Sequence, residues 1–559
     1  MKNNLFEKIF LLLVFFMLLF FLAKNLNPFN ELIFSFHDIT QFTRTQEFTR
    51  TLSEGQFPPR LAPRLSFNLG FPVFNFYAPF AYYVNSALML LGFSVYNAVK
   101  LSFLLALLVA FWGTYRFLKP FFNSLSSALG GVLLVSSPWL AVEIFIRGNL
   151  GEVWFIAILP FCLRAFLELS NKTTFKNIAR TGGYFALLLL THNALSFLSL
   201  MFIPFFLLFL KNKKQTALAF ILGIILSAFF TIPAFFELPL THARAIAQLT
   251  SYTDHFLCAN QLWTALWGTG GSVPGCTADG MSFMLGKIQI LLGTAGILYF
   301  IHSFLRKKIE KRVAVFIFML LFTTGSVFLT LFASQFVWNL FAPLLSILQF
   351  PWRFLILGLF GLVFFAAYFA SSLPKPFAKI IIVFLLFFTL FWNQKFFSKN
   401  IQVQPVAENV SYYLSDQYMY EGSAFNIPEY FPIFGNYQTW RNLKNQSRFK
   451  APFVLQKTKS TKSRVLINSP YRKKFLIYTA SAIKVNISYF PFWQIYLNGK
   501  RYIPSKFDKL ARPIIKVVQP SLIEVKYSQT PLEKLSNLVS LIGLAVLTFL
   551  YLWPKKKDE

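Results

Sequence analysis

Over most of the chain, apolar residues come in long unbroken blocks, not in the alternating or three-and-four-residue patterns of half-buried strands and helices. Twelve blocks reach or approach the ~20 apolar residues that cross a bilayer: 5–23, 98–117, 126–142, 153–169, 180–193, 195–210, 216–233, 287–305, 312–333, 352–371, 376–394 and 534–553. The shorter blocks suit helices that stop early around a buried polar cavity. The first follows Met1 to Lys8 and ends at Lys24-Asn25 with no small-x-small cleavage site, so a retained span is expected rather than a cleaved signal. A further stretch, 79–93, would invert the sidedness of everything after it if it crossed, and is assigned to the interface as a juxtamembrane helix.

The segment 395–530 is patterned differently. Short runs alternate apolar and polar residues (Phe475–Tyr478, Ile483–Tyr489, Gln494–Leu497, Ile514–Val518, Leu522–Tyr527), and Asn498-Gly499 between Tyr496 and Tyr502 is a hairpin signal. The predicted fold is an all-α polytopic membrane bundle of about 12 transmembrane helices. It carries a β-rich, sandwich-like domain over 395–530 and a final span over 534–553.

Composition agrees with the pattern. The chain has 559 residues, 56% of them hydrophobic and only 13% charged, with a mean hydropathy of +0.55. Soluble chains run near about a quarter charged, so a cytosolic multidomain enzyme is excluded. The net charge of +32 would suggest nucleic acid in a soluble protein. Its distribution argues otherwise: Arg116 and Lys119, Lys172 to Arg180, Lys211 to Lys214, Arg306 to Arg312, Lys375 and Lys379, and Lys555 to Lys557 fall in alternate loops, as the positive-inside rule requires for a cytoplasmic N-terminus. The loops 25–97, 143–152, 192–194, 234–286, 334–351 and 395–530 then share the extracytoplasmic side. The last of these holds 21 Lys/Arg against 6 Asp/Glu, a surplus of 15 suited to an anionic polymer or lipid. The expected location is the plasma or inner membrane, with both termini cytoplasmic and no nucleic-acid partner.

Nearly every loop residue with chemical potential lies on that outer side. His37-Asp38 opens the first loop, which continues through Arg60, Arg64 and Tyr77; Asp38 is either a base near the membrane surface, with His37 sharing a proton or a metal, or the N-cap of a helix over 39–53. Glu143, Arg147 and Glu152 bracket one another as a paired network or as interface anchors. Thr191-His192-Asn193 forms a polar corner between two apolar runs, where a His is costly enough to suggest a purpose. Arg353, behind Pro351-Trp352, either presents its planar fork to a phosphate or snorkels to headgroups. The loop 234–286 adds His255 and the Gly268 to Gly271 turn, with Cys258 and Cys276 as a disulfide pair if the compartment is oxidising, or else two free thiols. No Walker motif, dinucleotide fingerprint, nucleophile elbow or His-Glu-x-x-His is present.

With these residues, the chain resembles the C-type (GT-C) membrane glycosyltransferase superfamily. More closely, it resembles the bacterial membrane proteins labelled 6-pyruvoyl-tetrahydropterin synthase-related. The matching stretches are HDITQFTRTQEFTRTLSEGQFPPRLAPRLSFNLGFPVFNFYAPFAYY (37–83), IRGNLGEVWF (146–155), LLLLTHNALSF (187–197) and LQFPWRFL (348–355). The resemblance implies a GT-C-like glycosyltransferase domain over 1–394, transferring a hexose or pentose from a polyprenyl-phosphate donor to an extracytoplasmic glycan, lipid or protein. It implies Asp38 as general base, with His37, Glu143 and Glu152 in the catalytic cluster. Arg353, Arg147, Arg60 and Arg64 would face the donor phosphate, and Tyr77, His192, Asn193 and His255 would line the substrate site. No cofactor is certain; a divalent Mg or Mn on Asp38 and His37 is left open, since the superfamily often pairs two acids where this chain has His37-Asp38. The competing readings are a lipid or polysaccharide transporter and an envelope scaffold. The topology has a direct check: cysteines placed at Phe93 and Asn97 are expected to react with impermeant thiol reagents from outside intact cells, and labelling from the cytoplasmic side at either position overturns the assignment of 79–93.

Overall fold

The computed structural model describes residues 2–247, 251–276, 278–306, 312–398, 401, 403–405, 412–413, 415, 417–418, 427–443, 449–456 and 462–553. Lys555 to Lys557, residues 307–311 of the Arg306 to Arg312 cluster, and parts of 395–530 lie outside the described residues.

A helix stands at each of the twelve apolar blocks. Nine of the described helices are long and apolar enough to cross a membrane. The block 126–142 is a bent pair, Ser124–Val135 and Pro138–Phe145, meeting at 43°. The bend falls where Ser137 caps the second helix, with Pro138 in its first turn. The blocks 180–193 and 195–210 become Phe175–Leu189 and Asn193–Leu208, of 15 and 16 residues. At 1.5 Å per residue each is about 24 Å or shorter, less than the roughly 30 Å of a hydrocarbon core. They meet at the corner where the His192 ring accepts the Leu195 amide at 3.3 Å. The stretch 79–93 holds the eleven-residue helix Phe80–Leu90, with Leu90 and Leu91 exposed at its end.

At the loop-rich end of the bundle the strands form two units. β1 (Leu32–Phe34) pairs antiparallel with β2 (Val403–Pro405), so the segment after the spans returns to the first loop. The remaining strands are β3 (Phe453–Gln456), β4 (Ser463–Asn468), β5 (Arg472–Ile477), β6 (Ser481–Val485), β7 (Trp493–Leu497), β8 (Lys500–Tyr502), β9 (Ile514–Val517) and β10 (Ser521–Tyr527). They form a five-stranded sheet, β4-β5-β10-β7-β8, and a three-stranded sheet, β3-β6-β9. Alternate residues (Phe475 and Ile477, Ile483 and Val485, Ile523 and Val525) fill one shared core, which makes the pair a sandwich. Leu61 and Phe76 of the first loop enter that core. The β strands of the sandwich begin only at Phe453, and residues 427–443 belong instead to a second core with Phe48, Phe71 and Phe74 of the first loop.

One buried polar network ties the first loop to the last span. Arg60, 1% exposed, donates to Asn75 Oδ1 (2.7 Å), the Phe229 carbonyl oxygen (2.7 Å) and Asn537 Oδ1 (2.9 Å), and lies 3.9 Å from Glu533. Asn75 and Thr530 donate to the two oxygens of Glu237, each at 2.6 Å. Removing Arg60 leaves a buried carboxylate and three acceptors without it. Arg60→Met is therefore expected to cost about 3–5 kcal/mol and to lower the melting temperature of the purified protein. By contrast, Arg472→Met, at a half-exposed pair with Glu524, should cost no more than about 1 kcal/mol.

Candidate active site

The site is built where the first loop crosses the turn after Pro138–Phe145. His37 N donates to the Ile146 carbonyl at 2.8 Å and Asp38 N to the Arg147 carbonyl at 3.2 Å. This approach needs Gly148: its φ is +66°, and a Cβ there would lie 2.0 Å from the Phe36 ring. Three residues on, a Cβ at Gly151 would meet the Thr191 carbonyl oxygen at 2.7 Å, so the His192 corner also depends on a missing side chain. The spacing in IRGNLGE thus sets two close approaches that bring Asp38 and His192 to one place.

Four donors converge on Asp38. Oδ1 receives Thr40 Oγ1 (2.7 Å) and the Arg44 guanidinium, and Oδ2 receives Gln41 Nε2 (2.9 Å) and Tyr77 OH (3.2 Å). The helix Gln41–Ser53 begins after Thr40 without a side-chain cap, so Asp38 does not serve as its N-cap. Arg44 is buried beneath the acid, its guanidinium 4.3 Å from the Tyr77 ring centroid. Burial opposes its charge, but the Asp38 carboxylate more than offsets this and holds Arg44 well above the usual arginine range. Burial likewise pushes the Tyr77 phenol up and keeps it a donor.

Behind this pair lies a second network. Arg147 Nη1 donates to both oxygens of Glu143 at 2.5 Å, and Nη2 to Glu152 Oε1 at 3.0 Å. Asn149 Nδ2 (2.9 Å), Arg353 Nε (3.5 Å) and His192 Nε2 (3.7 Å) also approach Glu152 Oε1. Arg353 donates to the Leu348 carbonyl and lies 5.0 Å from the Phe350 ring, while Arg147 lies 4.4 Å from the Trp352 ring. The two networks border one cavity of about 580 Å³, lined by His37, Asp38, Tyr77, Arg147, Asn149, His192, Asp254, His255 and Arg353, among others. Its far wall is the loop after residue 250, in which Cys258 and Cys276 are joined. There His255 Nδ1 lies 3.0 Å from Ser272 Oγ, and burial draws the ring below its usual pKa.

Residues 74–256 match the family model described as "6-pyruvoyl-tetrahydropterin synthase related domain; membrane protein". The resemblance read from the residues thus has independent support over that range, which holds Arg147, Glu152 and His192 but neither Asp38 nor Arg353. No curated protein sequence matches the chain. Among solved structures, the chain is similar to the oligosaccharyltransferase of Archaeoglobus fulgidus, with 14% identity, a TM-score of 0.46, and coverage of 70% of this chain and 56% of that one. It is also similar to ArnT from Cupriavidus metallidurans, with 13% identity, a TM-score of 0.39, and coverage of 68% and 63%. The chain therefore spans less than two thirds of either protein's length.

Several expected site residues stand elsewhere. Arg60 is spent on the network with the last span, and Arg64 on Glu47 (3.3 Å) and Glu54, so neither faces the cavity. Asn193 clamps the first loop through Ala78 N (3.0 Å) and the Phe76 carbonyl (2.5 Å). Glu143 and Glu152 are fully buried behind Arg147 and position it without touching the cavity. At Asp38 and His37, the pair left open for a divalent ion, each Asp38 oxygen receives two donors and His37 Nε2 is turned to the Thr269 carbonyl oxygen at 2.7 Å. Among the described residues no group of three His, Cys, Asp or Glu could hold a metal ion.

Sequence reasoning gave no role to the loop residues Arg44 and Asp254 and missed Glu429. Arg44 sits six residues after Asp38, a spacing that brings it under the acid once residue 41 starts a helix. Glu429 comes from the segment that packs on the first loop, and burial pushes its carboxyl up to about 7, with Arg44 drawing it down and Asp38 raising it. A carboxyl whose folded pKa lies above its ordinary 4.5 adds stability below that value and loses it as pH rises through about 7. The melting temperature of the wild type is expected to fall between pH 5 and 8 more steeply than that of Glu429→Gln; parallel profiles would show that Glu429 is not buried against this pair.

Proposed function

We infer that the chain is a membrane glycosyltransferase, moving a sugar from a polyprenyl-phosphate donor to an acceptor hydroxyl at the loop-rich end of the bundle. The observation that carries the reading is one cavity bordered by the Asp38 carboxylate and by Arg353, whose guanidinium stacks on Phe350. About 580 Å³ is within the roughly 300–1,000 Å³ of small-molecule sites. The alternating basic clusters support an extracytoplasmic position for this end. So does the Cys258–Cys276 bridge, which persists in oxidising compartments.

The chemistry asks little beyond placement and charge. The acceptor oxygen attacks the anomeric carbon, the bond to the phosphate oxygen breaks with its electron pair, and the hydroxyl proton passes to Asp38. Arg353 and Arg147 meet the charge that develops on the departing phosphate, and as planar forks on aromatic rings they suit its oxygens. A carboxylate has about four lone-pair sites, and all four at Asp38 are taken. The acceptor hydroxyl must therefore displace a donor. Tyr77, at 3.2 Å, is the longest of the measured contacts and itself lines the cavity, which makes it the one displaced.

The test is transfer of labelled sugar from a panel of polyprenyl-phosphate hexoses and pentoses in proteoliposomes. Asp38→Asn is expected to lower transfer about 100-fold or more and Arg353→Ala by about 100-fold, while Tyr77→Phe stays within about threefold of wild type because the hydroxyl it loses must leave anyway. A well-folded Asp38→Asn that transfers normally would overturn the assignment. Wild-type protein that moves lipid between leaflets without forming a glycoside would make it a transporter.

A further inference from the structure

A second cavity, of about 290 Å³, lies at the same end of the bundle and shares no lining residue with the first. Rings lie between the two linings: Trp139, next to Pro138 of the second, stacks on Phe283 at 5.8 Å and lies 5.9 Å from Trp352 of the first. Two lysines stand in its lining. Lys287 lies 5.4 Å from the Trp263 ring centroid, and Lys395 lies 4.7 Å from Trp392 and 5.1 Å from Phe396. Neither lysine has a carboxylate in ion-pair range among the described residues. Asn393, 1% exposed, lines the same space, and its Nδ2 has no hydrogen-bond partner among the described residues. A buried amide donor left empty costs about 1–3 kcal/mol, so the site is one that a ligand acceptor completes. The helix Lys287–Leu305 also starts here, at Gly286, with no side chain capping its first amides. Two ammonium groups, an orphan amide and a helix N-terminus all favour an anion with several acceptor oxygens.

The surroundings say where that anion comes from. The helix Ser124–Val135 packs against both Lys287–Leu305 and Lys375–Asn393, the two spans whose outer ends carry Lys287 and Asn393. Beneath Trp392, the rings of Phe384, Phe387 and Phe391 are exposed along one side of Lys375–Asn393, in a span that meets hydrocarbon. Trp and Lys together at the end of a span mark the headgroup level. A soluble phosphate has no use for such a rim, whereas a lipid lays its chain along it.

We propose that this cavity binds the phosphate headgroup of a lipid from the leaflet on the loop-rich side, with Lys287, Lys395 and Asn393 as the donors. The site stands apart from the glycosyltransferase reading, since none of its residues touches the first cavity.

The experiment titrates dioleoylphosphatidic acid into the purified, delipidated full-length chain and reads the bound lipid by native mass spectrometry. The Lys287→Gln/Lys395→Gln double variant is expected to bind about tenfold or more weakly, for two lost charge-assisted contacts, and Asn393→Leu also to weaken binding. The same loss on the lysine substitutions is expected in an Arg353→Ala background, which removes a phosphate donor of the first cavity and none here. The single lysine variants serve if the double variant does not fold. Lysine variants of unchanged melting temperature that bind as tightly as their parent, in either background, overturn the site. Inorganic phosphate is expected to compete poorly; if it binds as tightly as the lipid, the lipid assignment is wrong.

Discussion

The loop-rich end of the molecule depends on the placement of Arg147. Its guanidinium is held by two buried carboxylates, Glu143 and Glu152, and lies over the Trp352 ring, while its carbonyl oxygen takes the Asp38 amide. Glu152 in turn faces His192 and Arg353. Four segments far apart in sequence, around residues 38, 147, 192 and 353, therefore take their positions from one side chain and its two acids. None of this is a cheap source of stability, because burying ion pairs costs about as much in desolvation as their attraction returns. The arrangement is better understood as fixing geometry. A cation held from two sides cannot change rotamer when an anion arrives, and preorganised charge is what transfer from a phosphate needs.

The C-terminal segment completes this end of the molecule instead of standing beside it. β2 pairs with β1, Trp440 lies between the rings of Phe71 and Phe431, and the sandwich takes Leu61 and Phe76 of the first loop into its core. The last span is locked to Arg60 and Glu237. The loop that carries Asp38 is thus clamped by spans on one side and by a β domain on the other. A loop of some seventy residues with few regular elements would otherwise fluctuate too widely to hold a carboxylate in place.

What was legible in the sequence follows from the range of the interactions involved. Apolar blocks, the Asn498-Gly499 hairpin and the alternating strands are local signals, and each produced its element. The Glu143–Arg147–Glu152 cluster was legible because its members lie within one helix end and the next helix start. Arg60 and Arg64 misled for the opposite reason. As loop cations they looked free to meet phosphate, but their partners lie at residues 533 and 537 in one case and at Glu47 on the preceding helix in the other. Nothing within a short window announces such pairings. Arg44 is one charge among several in the first loop, and only the burial of its helix against Phe80–Leu90 and Val95–Leu118 turns it into the partner of Asp38.

The two cavities divide a single electrostatic problem. In the first, cations and acids nearly cancel: Arg44 is matched by Asp38, and Arg147 and Arg353 by Glu143 and Glu152. Such a site has little net attraction for an anion at a distance and acts through the direction of its donors at contact. The second has two lysines and, among the described residues, no acid in ion-pair range, so its field is uncompensated and reaches outward. An anionic headgroup moving in the leaflet would be drawn to the second cavity by net charge, while the first would recognise it only by fit. A nearly neutral cavity and a charged one, with the rings of Trp139, Phe283 and Trp352 packed together between the segments that line them, therefore select anionic groups on different terms, the first by the direction of its donors and the second by net charge.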